Sequence, residues 1–373
     1  MRVGINLLTL SQDRYGGVEQ YIKHLIWHLK KADENVKLFL FLTKPNRDLF
    51  PDFQNRLKKV MIKESKIQAE IHNRIHDNQI EIWFSPLHKS YIPNIKIPSV
   101  VTIHDVLHTR YPQYVPGELE ENNHYYEQFA PSFDAVLTVS EFSKKAISRF
   151  LLIPKEKITA TYPGVPEAFH HYSDRNYIER IKNKYQLENE FAIYPASYNP
   201  HKNHLNLLKA IVLLRDHYKK RVPLVLTGFT SKENRTHQSV LTFLRNHSLE
   251  DQVKTLGYVP PEDMPYLYAN ASFLVFPSLY EGFGIPLVEA MKTNCPIVCS
   301  DRGSIPEVTG DAAIFFNPED PQDIALKILR ILNPEERVFL IGRGNVRSKI
   351  FSWEICAKKT LNVFRSVLKK DEK

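Results

Sequence analysis

The stretch "SFLVFPSLYEGFGIPLVEAM", residues 272–291, decides how the chain is read. Phe273 to Phe276 are apolar without alternation, as in a strand buried on both faces. Pro277 ends that run, "SLYEGFG" has turn composition, and Pro286 is well placed as the first helical residue of "PLVEAMKT". Strand, loop and helix follow in that order. Glu281 falls on the loop and Glu289 in the first turn of the helix. Backbone amides around Phe283, Gly284 and Ile285, next to Gly282, would have no helical acceptor and could donate to hydroxyl or phosphate oxygens. A carboxylate brings two acceptor oxygens, which suit paired hydroxyls. The plainer alternatives stay open: a dipole-favoured charge at Glu289 and a solvated turn at Glu281.

The same unit recurs along the chain. Strand-sized runs in the first half are "RVGINLL", "KLFLFL", "KVMI", "EIWF", "SVVTI", "AVLTV" and "ITAT"; in the second they are "FAIYPA", "PLVLTG", "KTLGYV", "SFLVFP", "PIVCS" and "AAIFF". Helix-sized segments separate them, and in "GGVEQYIKHLIWHLKKA" Val18, Tyr21, Ile22, Leu25, Ile26 and Leu29 recur at the spacing of one helical face. Alternating strands and helices of this kind predict an α/β fold with parallel sheets, doubly wound and Rossmann-like, twice over. With 373 residues the chain exceeds what one core usually serves. The proline, glycine and polar residues of "TYPGVPEAFHHYSDRNY", 161–177, place the boundary, giving domains 1–164 and 165–351.

Composition narrows the function classes. Apolar and charged fractions of 43% and 25% are those of a globular protein. "MRVGINLL" reads as a first strand rather than a leader, and no apolar run approaches the length of a membrane span. Three cysteines, Cys295, Cys299 and Cys356, are too few for a disulfide framework and too oddly spaced for a structural zinc site. A reducing cytoplasm is the expectation. The net charge of +8 has one local focus, "RLKKVMIKESK" at 56–66, which fits either a solvated sheet edge or a patch resting on anionic lipid at the inner face of the membrane. No basic helix or aromatic platform suggests nucleic acid.

Ligands of doubly wound sheets bind beyond the carboxyl ends of strands, so residues there come first. Gly16 and Gly17 lie between the first strand and its helix, where backbone can approach an anion; a plain helix-entry loop is the alternative. The spacing is not that of a dinucleotide fingerprint. His104 and Asp105 follow "SVVTI" and could hydrogen-bond sugar hydroxyls or assist proton transfer, or be a surface histidine and a capping aspartate. His108 and Tyr111 share that loop. Lys202 stands at a helix entry with Asn203 as a candidate N-cap, flanked by His201 and His204, where a lysine could neutralise phosphate.

These residues together resemble the retaining GT-B glycosyltransferases of family 4. "EGFGIPLVEAM" has their two glutamates separated by seven residues; "YGGVEQY" resembles their N-terminal glycine loop, "IHD" their acceptor-domain histidine, "VSEFSKK" with Ser140 their strand-to-helix turn, and "PSLYEGFG" their donor loop, and "SDRGSIPEVTGDAAIFFNPED" is also characteristic of them. The resemblance implies two Rossmann-like domains facing a central cleft, a nucleotide-sugar on the C-terminal one and a glycan acceptor on the N-terminal one. It also implies that helix 352–373, starting at "FSWE", crosses back to the N-terminal domain. Glu281, with Gly282 and the amides of Phe283, Gly284 and Ile285, would hold the donor sugar, Glu289 the ribose, and Lys202 the departing diphosphate. Gly16 and Gly17 would let the domains close, and His104, Asp105 and Ser140 would line the acceptor side. The family's usual arginine is missing: Ser197 and His201 stand in the two places where relatives keep it.

The activity so implied is retaining, metal-independent transfer of a hexose such as mannose from a GDP- or UDP-linked donor, with no cofactor besides that substrate. A lipid-linked acceptor in surface polysaccharide (lipopolysaccharide O-antigen or exopolysaccharide) synthesis is expected, with the protein cytoplasmic or peripheral to an anionic membrane. No Asp-x-Asp motif is present to hold a divalent cation. The alternatives are a sugar-nucleotide epimerase of similar fold and an inactive sugar-nucleotide-binding subunit.

Overall fold

The computed structural model describes residues 1–371 apart from 11–16, 51–55, 64–66, 91, 93, 116, 171–173 and 231–232. The chain divides into two compact units, Met1–Gly164 with Phe351–Lys373, and Val165–Ile350.

The first unit runs β1 (Arg2–Asn6), α1 (Gly17–Ala32), β2 (Lys37–Leu42), β3 (Leu57–Met61), α2 (Ile67–Asp77), β4 (Ile82–Ser85), β5 (Ser99–Thr102), α3 (Leu107–Arg110), α4 (Glu118–Phe129), β6 (Ala135–Thr138), α5 (Glu141–Phe150) and β7 (Ile158–Ala160). The second runs α6 (Arg175–Lys184), β8 (Ala192–Pro195), α7 (His204–Asp216), β9 (Leu224–Thr227), α8 (Arg235–Asn246), β10 (Val253–Thr255), α9 (Met264–Asn270), β11 (Phe273–Phe276), α10 (Ile285–Lys292), β12 (Ile297–Ser300), α11 (Ile305–Thr309), β13 (Ala313–Phe316), α12 (Pro321–Ile331) and α13 (Pro334–Arg347). The last helix, α14 (Trp353–Asp371), belongs to the first unit. Each of the thirteen apolar runs read from the sequence overlaps a strand.

Both sheets are parallel throughout. Their orders are β3-β2-β1-β4-β5-β6-β7 and β10-β9-β8-β11-β12-β13. The order reverses between β1 and β4 in one unit and between β8 and β11 in the other, the points where such sheets open a crevice for a ligand. The strands are long in Val, Ile, Leu and Phe because helices cover both faces: β2, β4, β6, β9, β11 and β12 are buried at nearly every position. α1 turns Tyr21, Ile22, Leu25, Ile26 and Leu29 inward, as its spacing predicts. Each such side chain contributes about 1.5–3 kcal/mol on burial. The basic run supplies the edge strand β3, where exposed Lys58 discourages edge-to-edge pairing; Glu64 to Lys66 lie outside the described residues.

α14 packs along α1. His24 stacks on Trp353 with centroids 5.4 Å apart, Phe364 meets Phe84 edge-on at 5.2 Å, and Arg365 bonds Asp33 at 2.5 Å. In the second unit the buried carboxylate of Asp263 accepts from Lys184 and Tyr185, both at 2.5 Å, and so fastens α6 to α9.

Candidate active site

In the second unit the loops after β8, β11, β12 and β13 meet at the carboxyl edge of the sheet, and side chains tie them together. Lys202 ends a short 3-10 turn after β8, and its ammonium donates to Glu281 Oε1, on the loop after β11, at 2.7 Å. The two side chains are only 18% and 11% exposed. The Leu279 amide donates to the His201 carbonyl at 2.8 Å, binding the same two loops through their backbones. Below them Tyr194, fully buried on β8, donates to the Lys202 carbonyl at 2.7 Å and lies 3.3 Å from Ser278 Oγ.

Asn203 departs from its expected role. It occupies the N-cap position of α7 but in the left-handed region (φ 63), and its side chain makes no cap bond. Its amide instead donates to the carbonyls of Pro277 at 3.1 Å and Pro318 at 2.7 Å, joining the loops after β11 and β13. These two bonds take the place of the cap bond.

The loop after β12 clamps the Glu281 loop. Ser304 Oγ lies 3.0 Å from both the Glu281 and Phe283 carbonyls, to which it donates. Gly303 has φ +65, and a Cβ there would stand 2.9 Å from the Glu281 nitrogen. Gly284 takes φ +92 as the N-cap of α10, which therefore begins at Ile285, one residue before Pro286. Glu289 is accordingly the fifth helical residue and outside the first turn, correcting its expected position and removing the dipole explanation. The amides of Gly284 and Ile285 have no acceptor among the described residues. Burial pushes the Glu289 carboxyl up to about 7, and the Tyr268 hydroxyl, donating to it at 2.8 Å, pulls the other way.

Ser197 and His201 add no second arginine. Ser197 Oγ accepts from the Asn199 amide at 3.1 Å. Arg302, in the clamp loop, is engaged by Asp301 and by Asn317 at 3.0 Å.

The first-unit candidates are separately placed. Gly16 lies outside the described residues; Gly17 opens α1, with open space where a Cβ would stand. His104 is buried behind β5, its Nε2 donating to the Pro86 carbonyl at 3.1 Å and its ring edge-on to Tyr21 at 4.6 Å. Burial and then the neighbouring His88 hold its imidazole down to about 3. With its Nε2 proton committed to that carbonyl, the ring can position a neighbour or accept a hydrogen bond through Nδ1. Asp105 accepts from the Leu107 amide, two residues on, at 3.0 Å. Ser140 is fully buried as the N-cap of α5, accepting from the Ser143 amide at 2.9 Å. Among the described residues no group of three or more His, Cys, Asp or Glu could hold a metal ion, and no helix is long and apolar enough to cross a membrane.

A cation, a carboxylate and helix-entry amides thus meet at the switch point of the second sheet. Residues 15–169 match the model described as Glycosyltransferase Family 4, and residues 176–341 that of Glycosyl transferases group 1. O-antigen chain mannosyltransferase B of Escherichia coli is 32% identical, over 94% of this chain and 96% of its own. The chain belongs to the group 1 glycosyltransferases. Among solved structures this glycosyltransferase resembles sucrose-phosphate synthase of Thermosynechococcus elongatus (TM-score 0.80, 17% identity, 99% of this chain and 100% of that one). It also resembles Anabaena HepE in complex with UDP and glucose (TM-score 0.77, 17% identity, 98% and 100%). The fold of both units is that of GT-B enzymes.

The residues that sequence reasoning missed in this glycosyltransferase are Tyr194, Tyr268, Ser278, Gly303 and Ser304. Tyr194 and Tyr268 read as core, because an aromatic in an apolar run gives no sign of where its hydroxyl points. The "GS" inside "SDRGSIPEV" was a detectable signal, a glycine and a hydroxyl directly after a strand.

Proposed function

We propose that the enzyme is a retaining, metal-independent hexosyltransferase that moves mannose from a GDP- or UDP-linked donor to a lipid-linked glycan during surface polysaccharide synthesis. The observation that carries the donor half is the 2.7 Å Lys202–Glu281 pair set on loops that meet beside the Gly284 and Ile285 amides. On donor binding the Lys202 ammonium turns to the diphosphate, which the two amides also receive. Glu281, released, accepts from hydroxyls of the donor sugar, and ionised Glu289 accepts from the ribose. Charge develops on the departing diphosphate as the glycosidic bond breaks, and donors already fixed in place need no reorganisation to meet it.

The choice of mannose is supported by the E. coli mannosyltransferase, similar along nearly the whole chain, and a nucleotide donor by HepE in its complex with UDP and glucose. The relative's O-antigen role supports a lipid-linked acceptor, and the basic edge strand β3 supports a peripheral seat on an anionic membrane from the cytoplasmic side. A thermal-shift screen across nucleotide sugars in EDTA tests the reading. A ligand at a hundredfold its Kd adds about 2.7 kcal/mol of stability. A shift with a GDP- or UDP-hexose in EDTA, and transfer that survives the chelator, are expected; a shift or activity that appears only with added divalent metal overturns the mechanism.

A further inference from the structure

The first unit carries a second basic group that the donor mechanism leaves unused. It lies at that unit's own switch point, where β1 and β4 are neighbours and the chain departs to opposite sides. The loop after β4 brings His88 and Lys89, and the segment after β5 brings His104 and His108. α4 closes over them: Tyr125 accepts from the Ser90 amide at 2.7 Å, and Tyr126 donates to the His88 carbonyl at 3.3 Å. The His88 and His104 rings are 4.8 Å apart, and His108 lies parallel to Tyr126.

Lys89 is 8% exposed, yet its ammonium is held at 2.9 Å by Glu121, whose side chain is 69% exposed and can swing into water at little cost. His108 is 7% exposed, and its Nε2 has no hydrogen-bond partner among the described residues. A buried polar atom left so destabilises the fold unless a ligand meets it. The other nearby acid, Asp105, already accepts from Leu107. The arrangement repeats the one in the second unit, where a lysine on a switch-point loop is likewise paired with a glutamate from a neighbouring segment.

We propose that Lys89 and His108 form an anion subsite for a phosphate group on the acceptor, with Glu121 standing in for that anion while the site is empty. Placing the anion on the acceptor rests on the glycosyltransfer reading; the anion site itself does not. Burial, with Lys89 contributing, keeps the His108 ring less basic than usual, so Lys89 supplies the charge and His108 a hydrogen bond.

Inorganic diphosphate titrated calorimetrically into the full chain carrying Lys202→Ala, without metal, tests the subsite with the donor lysine removed. Diphosphate still binds that protein. Adding Lys89→Met weakens binding by about tenfold or more, and adding Glu121→Gln tightens it about two- to fivefold by removing the competing carboxylate. Absence of binding to the Lys202→Ala protein, or an affinity indifferent to Lys89, overturns the proposal. If Lys89→Met does not fold, Glu121→Gln decides: tighter binding supports the subsite, and unchanged or weaker binding overturns it. The source of the phosphate follows from Lys89-dependent binding either to phosphatidylcholine vesicles carrying a polyprenyl phosphate or to a soluble sugar 1-phosphate. Equal, Lys89-independent binding to polyprenyl phosphate and phosphatidylglycerol vesicles overturns it. A chain that binds no nucleotide sugar but keeps this Lys89-dependent site ends the donor-site reading and leaves the anion site standing.

Discussion

Glu289 shows how one residue's surroundings set a measurable property. Burial destabilises its ionised form and carries the carboxyl to about 7, against the hydrogen bond from Tyr268 that favours ionisation. Only the ionised form can accept from both ribose hydroxyls, so affinity for the nucleoside diphosphate rises with pH through about 7. The expected Kd series across about pH 6 to 8 falls in the wild type, is flat in Glu289→Gln, and has its midpoint moved upward in Tyr268→Phe. A wild-type Kd independent of pH excludes Glu289 from the ribose. The sequence located both glutamates and Lys202 but could not show that Lys202 and Glu281 pair, because 79 residues separate them and only the sheet order brings their loops together. It misplaced Glu289 by part of a turn, since Pro286 marks a helix start only to within a residue while Gly284 fixes it by its backbone angle. His104, Asp105 and Ser140 were legible as residues after strands. That position is also where loops need local hydrogen bonds, and both Asp105 and Ser140 make one.

At the scale of elements, thirteen strands were readable because parallel strands buried on both faces carry unbroken apolar runs. The ties among the loops were not, since Asn203, Ser304 and Tyr194 act through hydrogen bonds to carbonyls that leave no residue pattern. The clamp of the β12 loop on the Glu281 loop is the most exposed to a single substitution. Gly303→Ala adds a Cβ about to collide with the Glu281 backbone and asks a residue other than glycine for φ +65, an αL cost of about 1–2 kcal/mol before the collision is relieved. Activity is expected to fall about tenfold or more, beyond the modest loss of melting temperature, because relief displaces Glu281. Ser304→Ala gives a milder loss of about 1 kcal/mol in stability. Wild-type kinetics in Gly303→Ala contradict a positioning role for the clamp.

Over the whole molecule the two units differ in how they answer acid. In the first unit His24 and His88 are held down to about 4, His104 to about 3, and His108 is lowered as well, all chiefly by burial. The unfolded chain takes up those protons near pH 6.5 and the folded unit does not, so stability falls as pH drops below about 7, with about three protons from His24, His88 and His104 linked to unfolding near pH 5 and His108 acting in the same sense. In the second unit His204 and His237 act in the same sense. Glu289 opposes them, since its raised carboxyl binds a proton in the folded state that the unfolded chain has released above about pH 4.5. Tryptophan fluorescence isolates the first unit, because Trp27, Trp83 and Trp353 all belong to it. On going from pH 7 to 5, its melting midpoint is expected to fall further than the remaining calorimetric transition; equal shifts contradict this linkage. The central claim, that Lys202 and Glu281 form the donor site, is tested most directly by titrating GDP and UDP without metal into the wild type, Lys202→Ala and Glu281→Gln. The account predicts that Lys202→Ala loses about ten- to a hundredfold in affinity for the preferred nucleotide, while Glu281→Gln binds it at least as tightly as the wild type because Lys202 no longer has a competing carboxylate. Wild-type affinity in Lys202→Ala would contradict it.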